Sequence, residues 1–293
     1  MNYQHFFGLA LLFILGAACE DPIEVPSQFE ESQLVVDAWL TTDLSPQTIT
    51  LTESIDYFGG GQPPVVEDAT VSVCNTSSSD CYTFAYRANG QYVWEPGSNP
   101  LGQIGDEFEL TIEQGGQTYR SNTAINRTVT IDSIGIDFEE ESIQFPEDGF
   151  YAQLYAFDPV GRGDTYWVRA YKNDTLLNRP TELTVVYDAT FDAGADVDGT
   201  YFITPLRFSI TPLDEDGALV PYNVGDHIRC EVHSISNEAF RFLNIAAEQI
   251  TNEGIFAVPV ANSPGNVFDS SNGEAVLGIF NIAEVARLER TVD

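Results

Sequence analysis

An all-β protein of two β-sandwich domains is predicted by three observations. Short runs of alternating apolar and polar residues dominate from residue 34 onward, turn dipeptides separate them at close intervals, and a single segment carries helical periodicity. A length of 293 residues exceeds one average domain and suits two. With 43% hydrophobic and 12% aromatic residues, there is material for two packed cores.

The first domain is placed at 34–126. Residues 34–40 open it, and 47–52 alternate Thr with Ile and Leu. A break at Gly59-Gly60-Gly61 and Pro63-Pro64 precedes the alternating strand 69–73. Residues 82–87 and 91–95 flank Asn89-Gly90, a pair that supplies the positive φ angles of a tight hairpin turn. Residues 107–112 and 118–120 flank Gly115-Gly116 in the same way. So many short strands in one stretch predict an immunoglobulin- or transthyretin-like sandwich. The pattern restarts near 122–130, and the second, larger sandwich is placed at 127–293. Its expected strands are 151–157, 165–171, 182–187, 201–210, 227–233 and 275–282. One helix is expected near 236–252. Ser236 caps it, Glu238 sits in its first turn, and Phe240, Leu243, Ala247 and Ile250 form its apolar stripe.

Residues 1–18 read as a secretion signal. The apolar run 6–15 is too short to span a bilayer and ends in Gly16-Ala17-Ala18. Cys19 follows directly, so the segment resembles a bacterial lipoprotein signal, in which that cysteine is lipidated and becomes the mature N-terminus. Residues 19–33 read as a flexible acidic tether. Glu20-Asp21 resembles the surface-export signal of Bacteroidota lipoproteins. The expected location is therefore the outer membrane, lipid-anchored, at the cell surface in preference to the periplasmic face.

Twelve Lys plus Arg against 45 Asp plus Glu give a formal charge of -33, a field that repels phosphate backbones and excludes nucleic acid as a partner. In an exported protein disulfides persist. Cys74 and Cys81 flank the turn-rich Asn-Thr-Ser-Ser-Ser-Asp and are expected to bridge, while Cys230 has no evident partner and reads as a buried thiol. His227 and His233 share one strand face but lie roughly 20 Å apart, too far to chelate one metal, and are expected to be exposed. Cys230 lies on the opposite face, which forbids a Cys–His nucleophilic pair. The sequence has no nucleophile elbow, zinc-protease helix or phosphate loop. Asp196 and Asp198, followed by Gly199, resemble part of a calcium loop and are the candidate ligands for that ion; the competing reading is a polar hairpin turn. Trp39, Trp94 and Trp167 read as core residues, with a sugar-stacking platform as the alternative.

Several motifs in order resemble one family. These are Leu34-Val35-Val36-Asp37-Ala38-Trp39-Leu40, then Asp68-Ala69-Thr70-Val71 with Gly90-Gln91-Tyr92, then the run from Ser234 through Leu243. Asn262-Ser263-Pro264-Gly265-Asn266-Val267 and Gly273-Glu274-Ala275-Val276-Leu277-Gly278-Ile279-Phe280 complete the series. The chain is similar to the Bacteroidota lipoprotein family catalogued as domain of unknown function 4249. That resemblance implies a non-catalytic accessory of a TonB-dependent outer-membrane receptor. A surface glycan-binding lipoprotein is the alternative expectation, and a secreted hydrolase ranks last.

Overall fold

The computed structural model describes residues 32–55, 61–251 and 263–293. The signal segment, Cys19 and the tether up to residue 31 lie outside the described residues, as does residue 252, where the expected helix ends. The fold is all-β, with strands in three sheets and one long helix.

The first unit begins with β1 (Leu34–Thr41), β2 (Gln47–Glu53), β3 (Thr70–Asn75), β4 (Cys81–Ala88), β5 (Gln91–Trp94), β6 (Glu107–Gln114) and β7 (Gln117–Ala124). The turns form as their residues dictate. Asn89 and Gly90 take φ of 52° and 75°, and Gly115 and Gly116 take 59° and 84°, both pairs left-handed as a two-residue hairpin requires. Alternation then buries one face of each strand. Leu34, Val36, Ala38 and Leu40 of β1 all point into a core shared with Ile49, Leu51, Val71, Val73, Phe108, Leu110 and Ile112.

The second unit contains β8 (Thr130–Glu139), β9 (Gly149–Phe157), β10 (Thr165–Lys172), β11 (Thr175–Leu176), β12 (Thr184–Tyr187) and β13 (His227–Ser234). A short helix α1 (Thr204–Arg207) precedes β13, and α2 (Asn237–Thr251) follows it. The chain ends with β14 (Phe268–Asp269), β15 (Leu277–Ala283) and β16 (Val285–Thr291). The β8–β9 pair lies over a sheet ordered β11-β10-β13-β16, with β12 also on β10. Ile134, Leu154 and Ala156 meet Tyr166, Val168, Ile228, Cys230 and Val232 in the core between them.

Two expectations need correction. The division into 34–126 and 127–293 fails near the C-terminus, because β14 and β15 belong to the first unit. They close a nine-stranded sheet ordered β14-β7-β6-β3-β4-β5-β2-β1-β15, in which β15 pairs with β1 in parallel. Phe280, Ile282 and Val267 complete the first core. Gly278 makes this pairing possible: its φ is +97°, and a Cβ there would lie 1.9 Å from the carbonyl oxygen of Val36. The expected strand 201–210 is instead an isolated bridge at Tyr201, then α1 and a 3-10 turn, Phe208–Ile210. Pro205 cannot donate to a sheet ladder. Phe202, Leu206 and Ile210, all fully buried, sit four residues apart, a spacing that a helix face and a strand face share, so the proline and not the periodicity excludes the strand. Strands β8 and β16 carry no counterpart in the sequence reading.

The junction between the units is a third apolar cluster. Helix α2 contributes Ala239, Phe240 and Leu243, which pack with Ile235, Val185 and Ile279 of β15. Of the expected stripe, Ile250 is instead 52% exposed. Ser236 does cap the helix, its hydroxyl accepting from the Ala239 amide at 3.1 Å. Trp39 of β1 meets Trp167 of β10 at 5.1 Å between ring centres and Phe242 at 6.5 Å.

Candidate functional site

Among the described residues, the strongest cluster of chemical groups forms where two loops of the second unit converge. Asp158 follows the last residue of β9, Asp188 follows the last residue of β12, and Asp198 lies in the long loop after it. Each strand ends in a carboxylate because the chain there leaves the apolar sandwich and turns. Asp188 takes a left-handed φ of 51°, a conformation aspartate tolerates. The three side chains each bring a carboxylate oxygen within 4.8 Å of the others.

Asp158 and Asp188 are 0% and 2% exposed. Asp158 accepts from the Tyr166 hydroxyl at 2.7 Å and the Gly199 amide at 3.2 Å. Asp188 accepts from the amides of Gly163 and Asp164 at 2.8 and 2.9 Å, and Asp198 from Gly161 at 2.9 Å. Burial pushes the Asp158 carboxyl above its ordinary range; the Tyr166 and Gly199 hydrogen bonds oppose the rise, while neighbouring Asp164 and Asp188 add to it. The nearby arginine is committed elsewhere. Arg127 grips both oxygens of Asp164 and also donates to the carbonyls of Val160 and Gly161 at 3.0 and 2.5 Å.

Hard carboxylate oxygens in this number are the donors that calcium selects. The sequence pairing of Asp196 with Asp198 is only half realised. Asp196 is turned outward into an exposed ion pair with Arg162, whereas Asp198 joins Asp158 and Asp188. Asp158 and Asp188 escaped the sequence reading because they lie on loops separated by β10 and β12. The one local signal was an acid directly after each strand.

The remaining candidate residues are placed as follows. Cys74 and Cys81 face each other across β3 and β4 and are joined by a disulfide, with Cα atoms 4.0 Å apart. Cys230 is a free thiol with no exposure, and burial is the first cause that pushes its pKa up. The expected exposure of both histidines is corrected for one of them. His233 is 6% exposed, because Trp167 covers it from β10; His227 is partly exposed and lies 3.5 Å from Glu289. Between the histidines on that face, Glu231 accepts from His233 at 3.0 Å and from Arg287 at 3.2 Å. Trp94 packs at a tilt on Tyr82 at 4.7 Å, and all three tryptophans are partly buried and engaged in ring contacts.

The sheets, the disulfide-closed hairpin and the buried acids define an all-β body with an acidic loop centre and an arginine–glutamate network. The chain matches the family model described as Domain of unknown function (DUF4249) over residues 20–289, and it belongs to that family. A comparison with curated proteins finds no match.

Proposed function

We propose that this chain is a lipid-anchored outer-membrane protein that works by contact, as a non-catalytic accessory of a TonB-dependent receptor. The observation that carries the reading is the apolar run ending in Gly16-Ala17-Ala18 directly before Cys19, followed by an acidic tether and then the sandwich. Family membership supports it through the receptor association that the resemblance implies. The burial of Cys230 and the position of Glu231 between the histidines favour a structural use of groups that catalysis would expose. Replacing Cys19 by Ser is expected to move the protein from the membrane to the soluble fraction and to abolish fatty-acid labelling. Detergent-solubilised outer membrane is expected to yield the lipoprotein together with a large barrel protein; repeated recovery of the lipoprotein alone counts against the partnership.

The acidic loop centre adds a structural calcium ion to this reading. Calcium takes about six to eight oxygens, so water would complete a set begun by Asp158, Asp188 and Asp198. Millimolar calcium is expected to raise the melting temperature of the wild type and of Asp196→Asn, and to leave Asp188→Asn unmoved. An unchanged wild-type melt removes the ion from the proposal.

A further inference from the structure

We infer that the outward face of β10 and β13 binds a carboxylate anion through the paired guanidiniums of Arg169 and Arg229. In so acidic a chain cations are scarce, and their placement is informative. Five of the twelve basic residues, Arg169, Lys172, Arg229, Arg287 and Arg290, lie on the neighbouring strands β10, β13 and β16. The register puts Arg169 opposite Glu231 and Tyr171 opposite Arg229, so the two arginines are diagonal neighbours on one face.

Both are short of hydrogen bonds. The Nε–H groups of Arg169 and Arg229 are buried and make no hydrogen bond among the described residues. Glu231, the carboxylate facing Arg169 across the strands, is occupied by His233, Arg287 and the Tyr171 hydroxyl at 3.3 Å. Among the described residues the ion pairs of Arg229 are long, 3.6 Å to Asp174 and 3.8 Å to Glu231 through Nε. Aromatic rings fix both guanidinium planes. Arg229 lies 4.0 Å from the centre of the Tyr171 ring; Arg169 lies 4.7 Å from Trp167 and 5.9 Å from Tyr171. A guanidinium held by its face still offers its edge, and that edge is a fork matched to a planar carboxylate. The surrounding charge narrows the ligand further. A field of -33 opposes a multiply charged anion more strongly than a singly charged one, which favours a carboxylate over a phosphate.

The test is a titration of the full, 15N-labelled chain followed through its arginine Nε–H resonances. The Arg169 and Arg229 signals are assigned by their loss in Arg169→Gln and Arg229→Gln. Sodium acetate replaces sodium chloride at constant ionic strength, with inorganic phosphate as a parallel arm. Both signals are expected to move saturably with acetate and less with phosphate. Arg169→Gln is expected to weaken the acetate response of Arg229 by roughly tenfold or more, the worth of one charge-assisted pair. Arg169→Lys, which keeps the charge and loses the fork, restores only part of it. Signals that stay still, that drift without saturating, or that prefer phosphate overturn the assignment. If a glutamine variant does not fold, the wild-type titration still decides, because two saturating resonances among the arginines are required.

Discussion

Glu231 keeps its charge in a largely buried setting. Burial alone would raise its pKa, but the His233 hydrogen bond and the Arg287 guanidinium outweigh it and hold the carboxyl at about 2. His233 is itself pushed below its usual range by burial, against the opposing pull of its hydrogen bond to Glu231. A carboxylate that releases its proton more readily folded than unfolded stabilises fully above its unfolded value. That stabilisation disappears as pH falls from about 4.5 through about 2. Glu231→Gln is therefore expected to cost about 3 kcal/mol at pH 7, with the gap from wild type closing across that window in pH-dependent thermal melts. Asp158 behaves in the opposite sense. Its raised pKa means that folding favours the protonated form, so its contribution declines as pH rises through the folded value. Asp158→Asn is expected to hold or raise the melting temperature at pH 7 without calcium, and a marked fall would show that the charged form is required.

Elements with purely local causes follow their residues closely. The Asn89-Gly90 turn and the Ser236 cap need only neighbouring backbone to explain them. Ser236→Ala removes the hydroxyl that accepts from Ala239 and is expected to lower stability by about 1 kcal/mol in urea unfolding, with the slope unchanged. The segment 201–210 went the other way because its apolar residues satisfy two periods at once. Pro205 decides between them by withholding a donor, and burial of Phe202, Leu206 and Ile210 completes the choice. Gly278 belongs to this scale as well. No side chain fits against Val36, so Gly278→Ala is expected to destabilise by more than about 2 kcal/mol through loss of the β1–β15 pairing, read as a lower denaturation midpoint.

The whole molecule is tied together by its last residues. The chain leaves the first sheet at Ala283 and enters the second at Val285, and Glu284 between them accepts from Thr42 at 2.8 Å. Asp43 meets Arg287 across the same seam, and Trp39 and Trp167 close the apolar junction under α2. A fragment ending at residue 126, where the pattern of turns places a boundary, is thus expected to stay unfolded by circular dichroism. It lacks the strand that covers the edge of β1, together with Phe280 and Ile282 of its core. The intact chain is expected to melt in one transition and Trp39→Ala in two, because the ring contact that the substitution removes links the units.

Alternation, turn dipeptides and the capping serine are local facts, and from them the all-β class, most strands and the one long helix could be read directly. The apolar run before Cys19 is likewise a property of sequence alone. Long-range placement decided the rest. The return of β15 to β1 depends on an interior that two distant segments fill together, and the Asp158, Asp188 and Asp198 centre on two loops brought to one point. Neither leaves a periodic trace along the chain, because what selects such contacts is the burial they achieve in three dimensions rather than any preference of neighbouring residues.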